Sequence, residues 1–247
     1  MNKIYLVIPC AGLGSRAGGD KAKQYQEIHG LPMIMHTLGA LLELKEIAHC
    51  LLVVSPMDQE MDHLLEKHNA YSKSFGRLSV EKIGGETRAQ SVLAGLKAIK
   101  RLGAQARDWV LVHDAARCLV QSQWVQLLID ECRHDEVGGI LAWPLSDTLK
   151  QSQGDRIEQT LERQNKWMAQ TPQMFKLDVL IQAIESGSSL MTDESSAMEA
   201  QGFAPKLVKA SALNIKVTYA DDFLLAKALL AANEQFHPAS TDQRPQP

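Results

Sequence analysis

Ile4-Tyr5-Leu6-Val7-Ile8-Pro9-Cys10-Ala11-Gly12-Leu13-Gly14-Ser15-Arg16 is a continuous apolar run that gives way after Pro9 to small residues, two glycines and a cation. An apolar run without polar alternation predicts a strand buried on both faces, and such strands belong inside a parallel sheet. Short β-branched or continuously apolar runs return at His49 to Val54, Leu78 to Ile83, Trp109 to His113 and Gly139 to Trp143. Between these runs, Met33 to Leu44 after Pro32, Asp58 to His68, Thr87 to Leu102 and Ser122 to Arg133 place apolar residues three and four apart, which predicts helices. Strand alternating with helix implies an α/β fold, Rossmann-like and doubly wound, with a mainly parallel sheet.

Gln151 to Thr160 departs from this pattern, because it is polar and turns at Gly154-Asp155. It predicts an extended hairpin leaving the sheet, a β-arm over about residues 147–164 of the kind that meets a partner chain. Helices are expected near Leu177 to Glu185 and Asp193 to Ala200, strands at Lys206 to Val208 and Ile215 to Val217, and a last helix from Asp221. Thr218 to Asp221 spells a capping box. Residues 1–236 then form a single domain, and the Pro-, Gln-, Ser- and Asp-containing stretch 237–247 is expected to be disordered.

With 247 residues and 45% apolar content the chain has material for one large core. A formal charge of −3 argues against nucleic-acid or membrane partners, which usually leave a basic excess. Cys10, Cys50, Cys118 and Cys132 are scattered without metal-ligand spacing, so reduced thiols and a cytoplasmic location are expected. The apolar N-terminal run enters Gly-rich polar sequence, unlike a secretory leader, and no run reaches membrane-spanning length.

A sheet of this class binds ligands outside the carboxyl ends of its strands, where Gly12 and Gly14 fall. Their backbone N–H groups can approach an anion closely. Gly12 to Ala17 also fits GxGxxA, the dinucleotide fingerprint, which raises a dehydrogenase binding NAD. The context disfavours it: Gly18 to Lys23 lacks an apolar helical period, and no acid lies about 20 residues on to hold a ribose. Arg16, Lys21 and Lys23 stand there instead, and cations on a Gly-rich loop suit a triphosphate whose α-phosphorus gathers negative charge during attack. A flexible turn with solvated cations is the alternative reading of the same residues. Asp114, following the Trp109 to His113 run, offers a carboxylate to a hard cation or merely caps a turn.

Pro9 to Arg16 followed by Lys23-Gln24-Tyr25 resembles the signature of sugar-phosphate nucleotidyltransferases. Further ordered segments are Gly84-Gly85-Glu86-Thr87-Arg88 with Ser91-Val92, Val112 to Arg117, Asp147-Thr148, Thr171-Pro172-Gln173, Thr192-Asp193-Glu194 and Asn214 to Thr218. Together they are similar to the 2-C-methyl-D-erythritol 4-phosphate cytidylyltransferases over about residues 3–232. The resemblance implies transfer of CMP from CTP to that polyol phosphate with release of pyrophosphate, a divalent cation such as Mg2+, and a homodimer joined through the β-arm. By the same resemblance Arg16 and Lys23 stabilise the pentacoordinate phosphorus, while Arg163 and Lys216 position the acceptor. Cys10, Ala11, Gly85, Glu86 and Ser91 fall at cytosine-reading positions, with Asp114 and Ala115 near ribose and phosphates and Asp114 as metal ligand. Arg117, Thr148, Thr171 and Thr192 fall at substrate contacts, and Thr148 and Arg163, flanking the arm, would serve the neighbouring subunit.

An ionised phosphate monoester needs no base to attack, so His113 is expected to be a core or supporting residue. Thr192 is also a candidate N-cap for the helix that follows. Cys10 replaces a usual alanine, while Ala22 and Cys118 replace usual prolines, which removes two chain restraints from the loops. Competing readings are a cytidylyltransferase for ribitol 5-phosphate and a nucleotide-binding protein without catalysis.

Overall fold

The computed structural model describes residues 2–12, 22–70, 74, 76–187 and 191–236, with side chains to residue 232. In chain order the strands are β1 (Ile4–Pro9), β2 (Glu27–Ile28), β3 (Leu31–Pro32), β4 (Ile47–Val53), β5 (Leu78–Glu81), β6 (Trp109–Val112), β7 (Gly138–Pro144), β8 (Leu149–Gln153), β9 (Arg156–Leu161), β10 (Trp167–Lys176) and β11 (Lys206–Lys209). Among the described residues the helices are α1 (Met33–Leu42), α2 (Met61–Lys67), α3 (Arg88–Arg101), α4 (Ser122–Cys132), α5 (Leu177–Glu185), α6 (Glu194–Ala200) and α7 (Ala220–Phe236), besides short helical turns.

Seven strands form one sheet in the order β11-β7-β10-β6-β1-β4-β5. All neighbouring pairs are parallel except those of β10, which runs antiparallel to both β6 and β7. The expected Rossmann-like, mainly parallel sheet is therefore present, with one reversed strand inside it. Alternation along β1 divides the core: Ile4, Leu6 and Ile8 pack with α1, α2 and α4 on one face. Tyr5 and Val7 pack with α3, α5 and α6 on the other.

β10 carries no strand signal in the sequence, because its Gln170-Thr171-Pro172-Gln173 stretch is polar and carries a proline. The sheet tolerates Pro172 where the β7–β10 register shifts between Ala169 and Gln173. Ile215 to Val217 is not a strand. It has no regular secondary structure, and its Val217 N–H donates to Ala116 O at 2.9 Å. The capping box at Thr218 is also replaced: Asp222 Oδ2 accepts from the N–H groups of Thr218 (2.7 Å) and Tyr219 (2.8 Å). The hairpin β8–β9 pairs only with itself, is exposed along nearly its whole length and leaves the sheet between β7 and β10. The stretch 237–247, expected to be disordered, lies outside the described residues.

Candidate active site

Parallel strands β1, β5 and β6 deliver Cys10 to Gly12, Ile83 to Thr87 and His113 to Arg117 to one edge of the sheet. Being antiparallel, β10 brings Thr171 to that edge from the opposite direction, and the Asp114 N–H donates to Thr171 Oγ1 at 3.0 Å. Close approach of the loops depends on Gly84: a Cβ there would stand 2.7 Å from Val54 O and would overlap the Ala11 side chain. Gln24 Nε2 reaches back to Cys10 O (2.8 Å), and the Tyr25 hydroxyl donates to Asp58, so the short helical turn carrying Lys23 is pinned beside β1.

Asp114 is the centre of the charge arrangement. Arg88 Nε donates to its Oδ1 at 2.7 Å, and Lys216 Nζ lies 2.7 Å from its Oδ2. The remaining Arg88 nitrogens form a two-point bond with the fully buried Glu194, Nη1 to Oε1 at 2.6 Å and Nη2 to Oε2 at 3.0 Å. Burial alone would push the Asp114 carboxyl up, yet Arg88 and Lys216 hold it well below the usual carboxylate range. Asp114 is therefore an anion at any physiological pH.

Two cavities share this wall. The larger, about 300 Å3, is lined by Cys10, Ala11, Gly12, Lys23, Gly85, Glu86, Ser91 and Ala115 as well as Arg88, Asp114 and Lys216. The smaller, about 200 Å3, is lined by Arg117, Thr171 and Thr192 beside the same Arg88, Asp114 and Lys216. In the larger cavity Ser91 Oγ accepts from the Gly85 N–H (3.1 Å) and donates to Thr87 O (3.0 Å), which fixes the loop entering α3. Lys23 Nζ donates to Val217 O (2.7 Å), tying the Gly-rich loop's return to the segment that bears Lys216.

Around the smaller cavity Arg117 donates to Asn214 O (2.6 Å) and Ala169 O (3.1 Å), while its buried Nε has no partner. Asp193, rather than Thr192, caps α6, accepting from Ser196 N–H at 3.0 Å. Thr192 stays exposed at the cavity rim. Thr171 Oγ1 lies 3.1 Å from His113 Nδ1. Burial pushes the His113 pKa down to about 3, so the imidazole is neutral and serves as a fixed support rather than a proton carrier.

Thr148 and Arg163 do not join either cavity of this chain. Both are exposed at the foot of the arm, where Arg163 Nη1 donates to Ser146 O. Arg16, Gly14 and Lys21 lie outside the described residues. Two site residues, Arg88 and Glu194, received no role from sequence reasoning, although both lie inside quoted motifs. The available signal was Arg88 itself: a cation in the first turn of a helix opposes the helix dipole and requires anions nearby.

The chain matches, over residues 4–232, the family model described as 2-C-methyl-D-erythritol 4-phosphate cytidylyltransferase. It is 43% identical over 232 residues to the protein of that name from Laribacter hongkongensis, covering 93% of this chain and 97% of the relative. It is 48% identical over 244 residues to the bifunctional enzyme IspD/IspF of Albidiferax ferrireducens, of which it spans 56% of the length. Among solved structures it is similar to a 4-diphosphocytidyl-2C-methyl-D-erythritol synthase, with a TM-score of 0.81, 35% identity and coverage of 93% of this chain and 99% of that one. The Francisella tularensis 2-C-methyl-D-erythritol 4-phosphate cytidylyltransferase gives a TM-score of 0.76 at 31% identity, covering 92% of this chain and 99% of that one.

Proposed function

Because the chain belongs to the 2-C-methyl-D-erythritol 4-phosphate cytidylyltransferase family, we propose that it transfers CMP from CTP to 2-C-methyl-D-erythritol 4-phosphate. The products are 4-diphosphocytidyl-2-C-methyl-D-erythritol and pyrophosphate, in the non-mevalonate route to isoprenoid precursors. One observation carries this reading: two cavities, one at the Gly-rich loop and one at Arg117, meet at a single wall of Arg88, Asp114 and Lys216. A nucleotide in the first and a polyol phosphate in the second would meet across that wall.

The acceptor's phosphate oxygen forms a bond to the α-phosphorus as the bond between the α-phosphorus and its bridging oxygen to the β-phosphorus breaks, and the electron pair leaves with pyrophosphate. No proton need be removed from an ionised phosphate, which accords with a neutral, buried His113. Lys23 and Lys216 line the cavity from different segments, so their charges would stabilise the crowded phosphorus, together with Arg16. Backbone groups of Cys10, Ala11 and Gly85 with the side chains of Glu86 and Ser91 are suited to reading the base.

Among the described residues no cluster of three or more His, Cys, Asp or Glu side chains could hold a metal by itself. Mg2+ is commonly bound by one or two carboxylates with substrate phosphates supplying other ligands, and Asp114 fits that role. When bound, the ion would neutralise phosphate charge. The self-paired, exposed arm with Ile157 67% exposed supports a homodimer in which Thr148 and Arg163 serve the neighbouring site. Four free, buried cysteines accord with a cytoplasmic protein. Among the described residues no helix is long and apolar enough to cross a membrane.

The test is pyrophosphate release from CTP and Mg2+ with each candidate acceptor. Turnover with 2-C-methyl-D-erythritol 4-phosphate is expected. Turnover with ribitol 5-phosphate alone overturns the acceptor, and CTP binding without turnover on any acceptor leaves only a nucleotide-binding protein.

A further inference from the structure

Glu194 lies at the first position of α6 with none of its surface exposed, and both carboxylate oxygens are spent on Arg88. Arg88 in turn lies at the first position of α3, the helix end that disfavours a cation. Neither placement is expected of a pair selected for stability, because removing two charges from water costs several kcal/mol per ion and apolar residues fill the same space as well or better. The pair is held from both sides. Thr87 and Gln90 form a reciprocal cap that fixes the start of α3. Gln173 on β10 accepts from the Ser195 N–H (2.8 Å) and donates to Asp193 Oδ2 (2.8 Å), fixing the start of α6.

The consequence falls on Asp114. With two guanidinium nitrogens engaged by Glu194, Arg88 presents Nε alone to Asp114 Oδ1, leaving Oδ2 directed to Lys216. We propose that Glu194 is a positioning residue for phosphoryl transfer: through Arg88 it fixes the Asp114 carboxylate so that one oxygen faces the reacting phosphates. Glu194 also balances the charge of Arg88, so that Asp114 keeps a net negative charge for Lys216 and for a divalent cation arriving with the phosphates. This inference rests on the reading that Asp114 faces the triphosphate.

Glu194→Gln, assayed in the full chain with CTP, 2-C-methyl-D-erythritol 4-phosphate and Mg2+, separates the alternatives. The turnover number is expected to fall about 10- to 100-fold, the usual loss when a residue orienting a ligating group is changed. CTP affinity without Mg2+ should stay near its wild-type value, while the Mg2+-dependent gain in CTP affinity, read by calorimetry without acceptor, should shrink. Because Glu194→Gln leaves Arg88 less well paired, unfolding free energy is measured alongside. Glu194→Asp keeps the negative charge opposite Arg88 on a side chain one methylene shorter, so it separates placement from charge while leaving Arg88 on Asp114. A Glu194→Asp protein of near wild-type stability whose turnover is still reduced supports positioning. Turnover that falls only in step with the folded fraction, or a Glu194→Gln protein that is less stable but turns over normally, overturns it. Asp114→Asn is the control for the underlying reading: if it leaves turnover unchanged, Asp114 is misassigned and the inference falls with it. If it abolishes turnover while Glu194→Gln does not, only the positioning role fails.

Discussion

Lys216→Ala should separate catalysis from stability, because the lysine is half in solvent while the carboxylate it meets is not. The ammonium stands 2.7 Å from Asp114 Oδ2, with side-chain exposures of 42% and 9%. Solvent screening at the lysine limits what the pair adds to folding, about 1 kcal/mol at most for a contact exposed on one side. After truncation Asp114 still accepts from Arg88 at 2.7 Å, so no buried charge is left without a partner. A 1 kcal/mol loss in a chain of this size lowers the melting temperature by about 2 to 4 °C. The catalytic loss is larger, because charge gathering on the phosphorus at the transition state loses a fixed cation: about 2.7 to 4 kcal/mol, roughly 100- to 1,000-fold in turnover. Asp114→Asn is the comparison. It strips the anion from between two cations, and breaking such a buried arrangement costs about 3 to 5 kcal/mol of stability. Urea unfolding followed by tryptophan fluorescence and pyrophosphate release read the two quantities in parallel. A Lys216→Ala protein as unstable as Asp114→Asn, or one retaining more than about a tenth of wild-type turnover, would refute the division of labour.

Gly95→Ala is expected to destabilise by about 1 kcal/mol: its new Cβ would lie 2.7 Å from both Val7 Cγ1 and Val53 Cγ2, and this overpacking exceeds the gain in helix propensity. A urea midpoint above wild type would show that α3 moves off the sheet cheaply. The His113 pKa of about 3 lies below its ordinary 6.5, so the unfolded chain binds a proton that the native protein refuses as the pH falls through that window. Stability is present above pH 6.5 and declines below it, by about 2 kcal/mol at pH 5, whereas the depressed Asp114 carboxyl adds its own loss only below about pH 4. His113→Gln should flatten unfolding free energy between pH 7 and 5, and a slope as steep as wild type would discount His113. Co-expressing Lys23→Ala and Arg163→Ala chains should restore about a quarter of wild-type activity if the arm serves the partner of a two-fold dimer, since one site in each mixed dimer is then intact. An arm that serves its own chain gives no recovery.

Four of the strands legible in the sequence share one property. β1, β4, β6 and the start of β7 are apolar runs whose burial follows from composition, and their observed limits differ from the expected ones by a few residues at most. β10 escaped because its burial comes from position. Wedged between β6 and β7, it buries Gln170, Thr171 and Gln173, and only the folded surroundings make this affordable: Gln170 donates to Ser211 O, Asn214 to Thr171 O, and Gln173 pairs with Asp193 and Ser195. No local pattern announces that set of partners. Ile215 to Val217 shows the converse, a run that reads as a strand yet joins no sheet, its Val217 N–H donating instead to Ala116 O. At the site, residues clustered in short motifs were legible, and the pairing of Arg88 with Glu194, 106 positions apart, was not.

Charge counting supports including both the Gly-rich loop and the arm in the proposed site. Around the two cavities the described residues supply Lys23, Arg88, Arg117 and Lys216, and set against them are Glu86, Asp114, Asp193 and, behind Arg88, Glu194. These walls are balanced before any ligand arrives. A triphosphate and a phosphate monoester bring several negative charges into a space where screening by water is reduced, and balanced walls cannot offset them. On the proposed reading the surplus comes from Arg16 and Lys21 on the Gly-rich loop, Arg163 from the arm of a neighbouring chain, and a divalent cation. On that reading the full positive field forms only when both substrates and the partner's arm are in place. On this argument, removing Arg163 weakens the acceptor's hold without disturbing CTP alone, whereas a site whose charge was already in surplus would lose little from either change.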